Sequence, residues 1–138
     1  MIILDTNVVS EPLKPRPYPA VLQWLDRQSP ETLFLTAISR AELLAGVMAL
    51  PSGKRRTELQ RVLNKELTSL FANRILAFGE RSAEAYARVV TGAHAVGNPI
   101  DFADAAIAAI ALEHGYILAT RNERDFRGAP VKLVNPWV

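Results

Sequence analysis

The stretch DFADAAIAAIALEHGYILAT, residues 101–120, decides the architecture. From Asp104 to His114 it is rich in alanine, the strongest helix former. Gly115 follows where a left-handed C-terminal cap would end a helix, and Tyr116–Ala119 reads as a strand. Helix then strand is the unit, and it recurs outward in both directions. Toward the N-terminus, Ile75–Phe78 is expected as a strand and Ala83–Ala95 as a helix. Arg56 to Phe71 repeats apolar residues at Leu59, Val62, Leu63, Leu67 and Leu70, the pattern of an amphipathic helix. Leu33–Leu35 reads as a strand, with a helix from about Arg40 to Ala49. Residues 12–19 contain four prolines and read as a loop, and Ala20–Arg27 follows with Val21, Trp24 and Leu25 on one helical face. Met1–Leu4 is a short apolar run ending at Asp5, as expected of a strand buried on both faces. At the other end Val131–Val134 reads as the last strand. Alternating strands and helices imply an α/β fold, a parallel sheet covered by helices on both sides.

The totals agree with one domain spanning residues 1–138. Nearly half the residues are apolar, enough for a core, and no run is long enough for a transmembrane helix. The N-terminus has no basic region before its apolar run and no small-residue cleavage site, so it is not expected to be a signal peptide. The absence of cysteine excludes disulfides and thiolate metal sites. These features are those expected of a cytoplasmic protein. The net charge is only +2, compatible with nucleic-acid binding but not diagnostic of it. Lys54-Arg55-Arg56, after Pro51-Ser52-Gly53, is expected to be a solvated loop and helix start. No internal repeat, linker or low-complexity segment interrupts the chain.

Four acids stand out against this frame. Asp5 ends the first strand. Glu42, Asp104 and Asp125 each lie three residues after a candidate helix N-cap: Ser39, Asp101 and Asn122. Ser39-Arg40-Ala41-Glu42 has the form of a capping box, and each acid alone is explained by capping and by the helix dipole. Together they mean more. In a parallel α/β sheet, helix N-termini follow strand C-termini, so all four acids approach the edge where such folds bind ligands. Two carboxylates about 5 Å apart repel by roughly 3 kcal/mol at an effective dielectric near 20. Gathering four calls for protons or cations. Oxygen donors without cysteine or paired histidines select a hard cation, Mg²⁺ or Mn²⁺. Such an ion polarises a phosphoryl oxygen and lowers the pKa of a bound water for in-line attack.

The segments carrying these acids also carry a resemblance: Ile3-Leu4-Asp5-Thr6-Asn7-Val8, Thr36 to Leu43, Asp104 to Ala109, Ala119 to Asn122 with Asp125-Phe126, and Val134-Asn135-Pro136-Trp137. In that order and spacing, over essentially the whole chain, the sequence resembles the PIN-domain ribonucleases and within them the VapC-type toxins, particularly the FitB-like group. The resemblance implies a five-stranded parallel sheet flanked by helices and Mg²⁺-dependent cleavage of RNA. It implies Asp5, Glu42, Asp104 and Asp125 as catalytic acids, with Asp5 and Asp104 as the metal ligands. Thr6 and Thr120 match supporting hydroxyl positions, and Asn7 is expected to brace the loop after the first strand. Asp101 departs from the commonest family pattern, and its N-cap role accounts for it. The resemblance further implies a homodimer and a small DNA-binding antitoxin whose tail lies over the acidic groove, with no membrane partner.

Arg121 and Arg124 neighbour the acids and are open to two readings, a phosphate contact or an exposed ion pair. His94 and His114 lack metal-ligand spacing, and Trp24 and Trp137 are expected to pack. Two other functions compete. Asp5-Thr6-Asn7 after an apolar strand also suits an aspartate-nucleophile phosphatase, but the catalytic lysine that class requires has no convincing candidate and the chain is short for it. A catalytically weak PIN-fold RNA-binding or regulatory module would tolerate loss of the acids, and all four are present.

Overall fold

A computed structural model describes all residues 1–138. Its centre is a sheet of five parallel strands in the order β3-β2-β1-β4-β5: β1 Ile2–Leu4, β2 Leu33–Thr36, β3 Ile75–Leu76, β4 Ile117–Ala119 and β5 Leu133–Val134. The helices are α1 Thr6–Ser10, α2 Pro19–Asp26, α3 Ala37–Met48, α4 Lys54–Arg61, α5 Thr68–Leu70, α6 Glu80–Ala95 and α7 Phe102–His114. A wide π-helical turn, Val62–Leu67, joins α4 to α5, so the expected amphipathic helix is continuous in path but under-wound at its middle. Leu63, Leu67 and Phe71 remain buried along it. No helix is long and apolar enough to cross a membrane.

Each strand feeds two cores because successive side chains alternate faces. Ile3 and Leu118 join one buried cluster with Ala85 and Val89 of α6 and with Ala105 and Ile107 to Ala111 of α7. Leu4, Leu35 and Ala119 join the other with Val8, Val9, Leu43, Val47, Leu63 and Leu67. Ala105 through Ala111 are all fully buried, so α7 is apolar all round, as an internal helix must be. Its alanines keep the packing with α6 close. Gly115 ends α7 at φ 69°, with Tyr116 N–H bonded to Ala111 O at 3.0 Å, the closure expected from the sequence.

Three local expectations need correction. The chain does not enter a loop after β1: Asp5 caps a short helix, α1, by accepting the Thr6 N–H. Helix α3 starts three residues before Arg40, because Thr36 Oγ1 accepts the Ser39 N–H and is the cap. Ser39 is therefore an internal buried residue, and the capping box with Glu42 does not form. Asn122 makes no side-chain cap; a 3₁₀ turn, Glu123–Phe126, follows it, and Asp125 N–H bonds to the Asn122 carbonyl instead.

Candidate active site

The strand order fixes where a site can lie. Proceeding from β1 the chain winds through β2 and β3, then returns to the other side of β1 with β4 and β5. The order reverses between β1 and β4, and ligands in open α/β sheets bind beyond the strand C-termini at such a point. Leu4 and Ala119 are register partners there, and the next residues are Asp5 and Thr120. Asp5 N–H bonds to Ala119 O at 2.9 Å. Thr120 Oγ1 donates to Asp5 Oδ2 at 2.7 Å, and Thr6 N–H donates to Asp5 Oδ1 at 2.8 Å. Asp5 is only 4% exposed and Thr120 fully buried, so both carboxylate oxygens are anchored by groups on either side of the switch point.

The adjoining elements bring the other acids. Thr6 Oγ1 donates to Glu42 Oε1 at 2.7 Å, tying α1 to α3. Asp101 caps α7 by accepting the Asp104 N–H at 2.9 Å, as expected, which sets Asp104 on the first turn. Asp125 sits on the 3₁₀ turn after β4, anchored by buried Phe126.

Charge shows that these acids share one region. Burial pushes the Asp5 carboxyl above its ordinary 3.8, opposed by the hydrogen bonds from Thr120 and Thr6 and assisted by Glu42 and Asp125. Asp104 is pushed up to about 7, first by burial and then by the charges of Asp101, Asp5, Asp125 and Glu42. The carboxylates repel one another without forming a ready-made shell of three or more metal donors. All the available donors are oxygens, and a hard cation would relieve the repulsion that raises Asp104. In donor type and charge, the residues fit such an ion.

The neighbouring positions divide. Asn7 lies in α1, and its buried Oδ1 has no hydrogen-bond partner, so the expected loop brace is not formed through that atom. Neither Arg121 nor Arg124 pairs with an acid; the ion pairs are Lys14–Glu11 and Arg61 with Glu58 and Glu66. The Arg121 guanidinium instead lies 5.3 Å over the Trp137 ring. Trp24 and Trp137 pack against the core, and His114 stacks on Tyr116. Arg55 starts α4 and donates to Leu13 O at 2.9 Å.

Glu11 escaped the sequence reading. It is 4% exposed, accepts the Tyr18 N–H at 2.9 Å and pairs with Lys14 at 2.7 Å. The Lys14 hydrogen bond holds its carboxyl below the ordinary range. Glu11 secures the proline-rich segment from inside.

Residues 2–132 match the PIN domain family. Over 137 residues the chain is 46% identical to the plasmid stability protein StbB of Pseudomonas syringae pv. tomato, covering 99% of both chains. It is 45% identical to the VapC ribonuclease Y4jK of Sinorhizobium fredii, covering 99% of this chain and 98% of that one. Toxin FitB of Neisseria gonorrhoeae is 44% identical over 99% of both chains. The crystal structure of FitAcB from the same organism superposes with a TM-score of 0.95 over 99% of each chain. With the five-stranded parallel sheet and full-length similarity in hand, the chain belongs to the PIN-domain family, as a ribonuclease toxin of the VapC type close to FitB.

Proposed function

We propose that this ribonuclease is an Mg²⁺-dependent endonuclease, with Mn²⁺ able to substitute, whose ion is held by Asp5 and Asp104. Glu42 and Asp125 complete the acidic set. The observation that carries this reading is Asp104: burial first, and then the charges of Asp101, Asp5, Asp125 and Glu42, push it up to about 7, and a divalent ion at these oxygen donors would offset that crowding of negative charge. When bound, the ion supplies Lewis acidity at a phosphoryl oxygen and a water of lowered pKa.

The protein's own residues do the positioning. Thr120 and the Thr6 N–H orient the Asp5 carboxylate, and the Thr6 hydroxyl orients that of Glu42. We assign to one of Glu42 and Asp125 the orienting of the attacking water. The N-terminus of α7, directed at the same edge, favours the substrate phosphate. Asp5 already accepts hydrogen bonds at both carboxylate oxygens, which suits a braced ligand better than the nucleophile of a phosphatase.

The partners follow from relatives. FitAB has been solved bound to an IR36 DNA fragment, and VapBC2 of Rickettsia felis bound to a DNA fragment from their promoter. We infer for this chain a cognate DNA-binding antitoxin that covers the acidic edge, and a homodimeric toxin. RNA incubated with the purified protein is expected to be cut internally in Mg²⁺ or Mn²⁺, to survive in EDTA, and to survive with folded Asp5→Asn or Asp104→Asn protein. Full activity in both variants would falsify the shared acidic site.

A further inference from the structure

The four acids are not held alike. Asp5 and Glu42 are fixed by side-chain hydrogen bonds, and Asp104 rides on the capped first turn of a 13-residue helix. Asp125 has none of this. Its side chain is exposed and accepts no hydrogen bond, and its turn is only four residues long. A single 3₁₀ turn has too few internal bonds to hold one geometry alone. The place of its carboxylate therefore depends on what holds the backbone of the turn.

Phe126 anchors the turn in the core on one side, and its backbone carbonyls are held by Asn98, a residue outside the acidic cluster. Its Nδ2 donates to Arg127 O at 2.9 Å and Arg124 O at 3.2 Å, with a longer contact to Asp125 O at 3.4 Å. These carbonyls lie along the turn and at its end; Arg124 O already accepts the Arg127 N–H, and Asn98 ties it and Arg127 O to the segment after α6. Asn98 is itself fixed: Gly97, at φ 69°, turns the chain after α6, and Asn98 N–H returns to Ala93 O at 3.0 Å. Beside this clamp the two backbones meet directly. A Cβ on Gly92 of α6 would stand 2.4 Å from Gly128 O, and one on Gly128 would stand 2.5 Å from Val96 Cγ2 and 2.6 Å from Gly92 O. Asn98 also lies three residues before Asp101, the cap that sets Asp104. One short connection thus holds the turn of Asp125 and the start of the helix bearing Asp104.

We propose that Asn98 is a positioning residue for RNA cleavage, clamping the Glu123–Arg127 backbone so that the Asp125 carboxylate is held at the site of Asp5 and Asp104. The proposal rests on the catalytic part assigned to Asp125 above. Asn98 contacts only backbone oxygens and acts through Asp125.

The test is a double-mutant cycle in the full chain: wild type, Asn98→Ala, Asp125→Asn and the pair, assayed on RNA at saturating Mg²⁺, with Mn²⁺ affinity measured by calorimetry. Asn98→Ala is expected to lower kcat about 10-fold, the scale of removing a support behind a site residue. The KM for RNA and the Mn²⁺ affinity should each stay within about twofold, since the ion is assigned to Asp5 and Asp104 and a general loosening of the site would weaken its binding. In the Asp125→Asn background the same change should have little further effect, because both act on one carboxylate. Asn98→Asp, of the same shape but without the donors, should be at least as damaging as alanine. It serves as the second probe if alanine loosens the fold. Undiminished kcat in folded Asn98→Asp, or equal fold-losses from Asn98→Ala in both backgrounds, would overturn the proposal. If Asp125→Asn alone retains full activity, the role of Asp125 fails and this proposal with it. If Asp125→Asn is impaired while Asn98→Ala is not, only this proposal fails.

Discussion

The two halves of the acidic edge are built on different principles. Asp5 and Glu42 belong to one hydrogen-bonded network in which Thr6 gives its N–H to Asp5 and its hydroxyl to Glu42, while Thr120 reaches Asp5 from the far side of the switch point. Asp104 and Asp125 accept no hydrogen bond on their carboxylates and are placed only by the backbone that carries them. Burial is the first cause of a raised pKa at both Asp5 and Asp104. At Asp5 donors oppose it; at Asp104 every further cause is another negative charge. Donors both orient a carboxylate and keep it ionised. Asp104, half-buried and without them, is pushed toward holding a proton, or the cation that would displace it. One half of the edge is braced by donors to its carboxylates and the other only by its backbone.

The sharpest break of that comparison is Asp104→Asn, which should lower cleavage by about 10³-fold, several kcal/mol of lost transition-state stabilisation. The same change should stabilise the metal-free protein. Asp104 has a folded pKa raised from 3.8 to about 7, so ionising it opposes folding. That penalty is absent below the unfolded pKa, grows through the interval and is complete above about 7. A shift of this size corresponds to roughly 4 kcal/mol at face value, and partial solvent exposure reduces it to about 1–2 kcal/mol. Urea unfolding in EDTA should show wild-type stability falling as pH rises across this window. The variant should be more stable near pH 8 by about that 1–2 kcal/mol and equal to wild type near pH 3. Mg²⁺ should stabilise wild type at pH 8 and leave the variant unmoved. A variant no more stable than wild type at pH 8 would place the repulsion elsewhere.

Thr120→Val tests the donor-braced half and should have the opposite sign in stability. It leaves Asp5 Oδ2 buried without its donor and removes the acceptor of the Asn122 N–H. The expected destabilisation is about 1–3 kcal/mol, with about a 10- to 100-fold loss of activity. Thermal unfolding and RNA cleavage measure the two. Unchanged stability would mean that Asp5 does not depend on its brace.

How much of this was legible in the sequence divides along the same line. The order of strands and helices, the buried helix ending at Gly115 and the Asp101 cap of Asp104 could be read because each rests on local preferences: periodicity, alanine content and a left-handed glycine. Which residue caps α3 could not. Thr36 and Ser39 are both good N-caps, and only the extended backbone at Thr36, set by β2 pairing with β3, selects it. Helix α1 was hidden because five residues with two β-branched valines do not signal a helix; it forms where Asp5 caps it and Val8 and Val9 enter the core. The convergence of Asp5 with Thr120, 115 positions apart, needed the topology. The brackets around Glu11 and Asn98 were also invisible, since an anchoring carboxylate or amide has no sequence period.

The smallest expected effect separates the two services of Thr6. Thr6→Val removes the hydroxyl that holds Glu42 and keeps the N–H that holds Asp5. The Glu42 bond is exposed, so water replaces it and stability should change by no more than about 0.5 kcal/mol. Activity should still fall, by about 10-fold or less, because a freed Glu42 samples orientations that do not serve the reaction. Thr6→Ser, which keeps the hydroxyl, should restore most of it. In a Glu42→Gln background Thr6→Val should add little, since both changes disable the same carboxylate. If Thr6→Val instead lowers activity as far as Thr120→Val without loss of stability, the hydroxyl at position 6 acts on more than Glu42, and the two halves of the edge are coupled through α1.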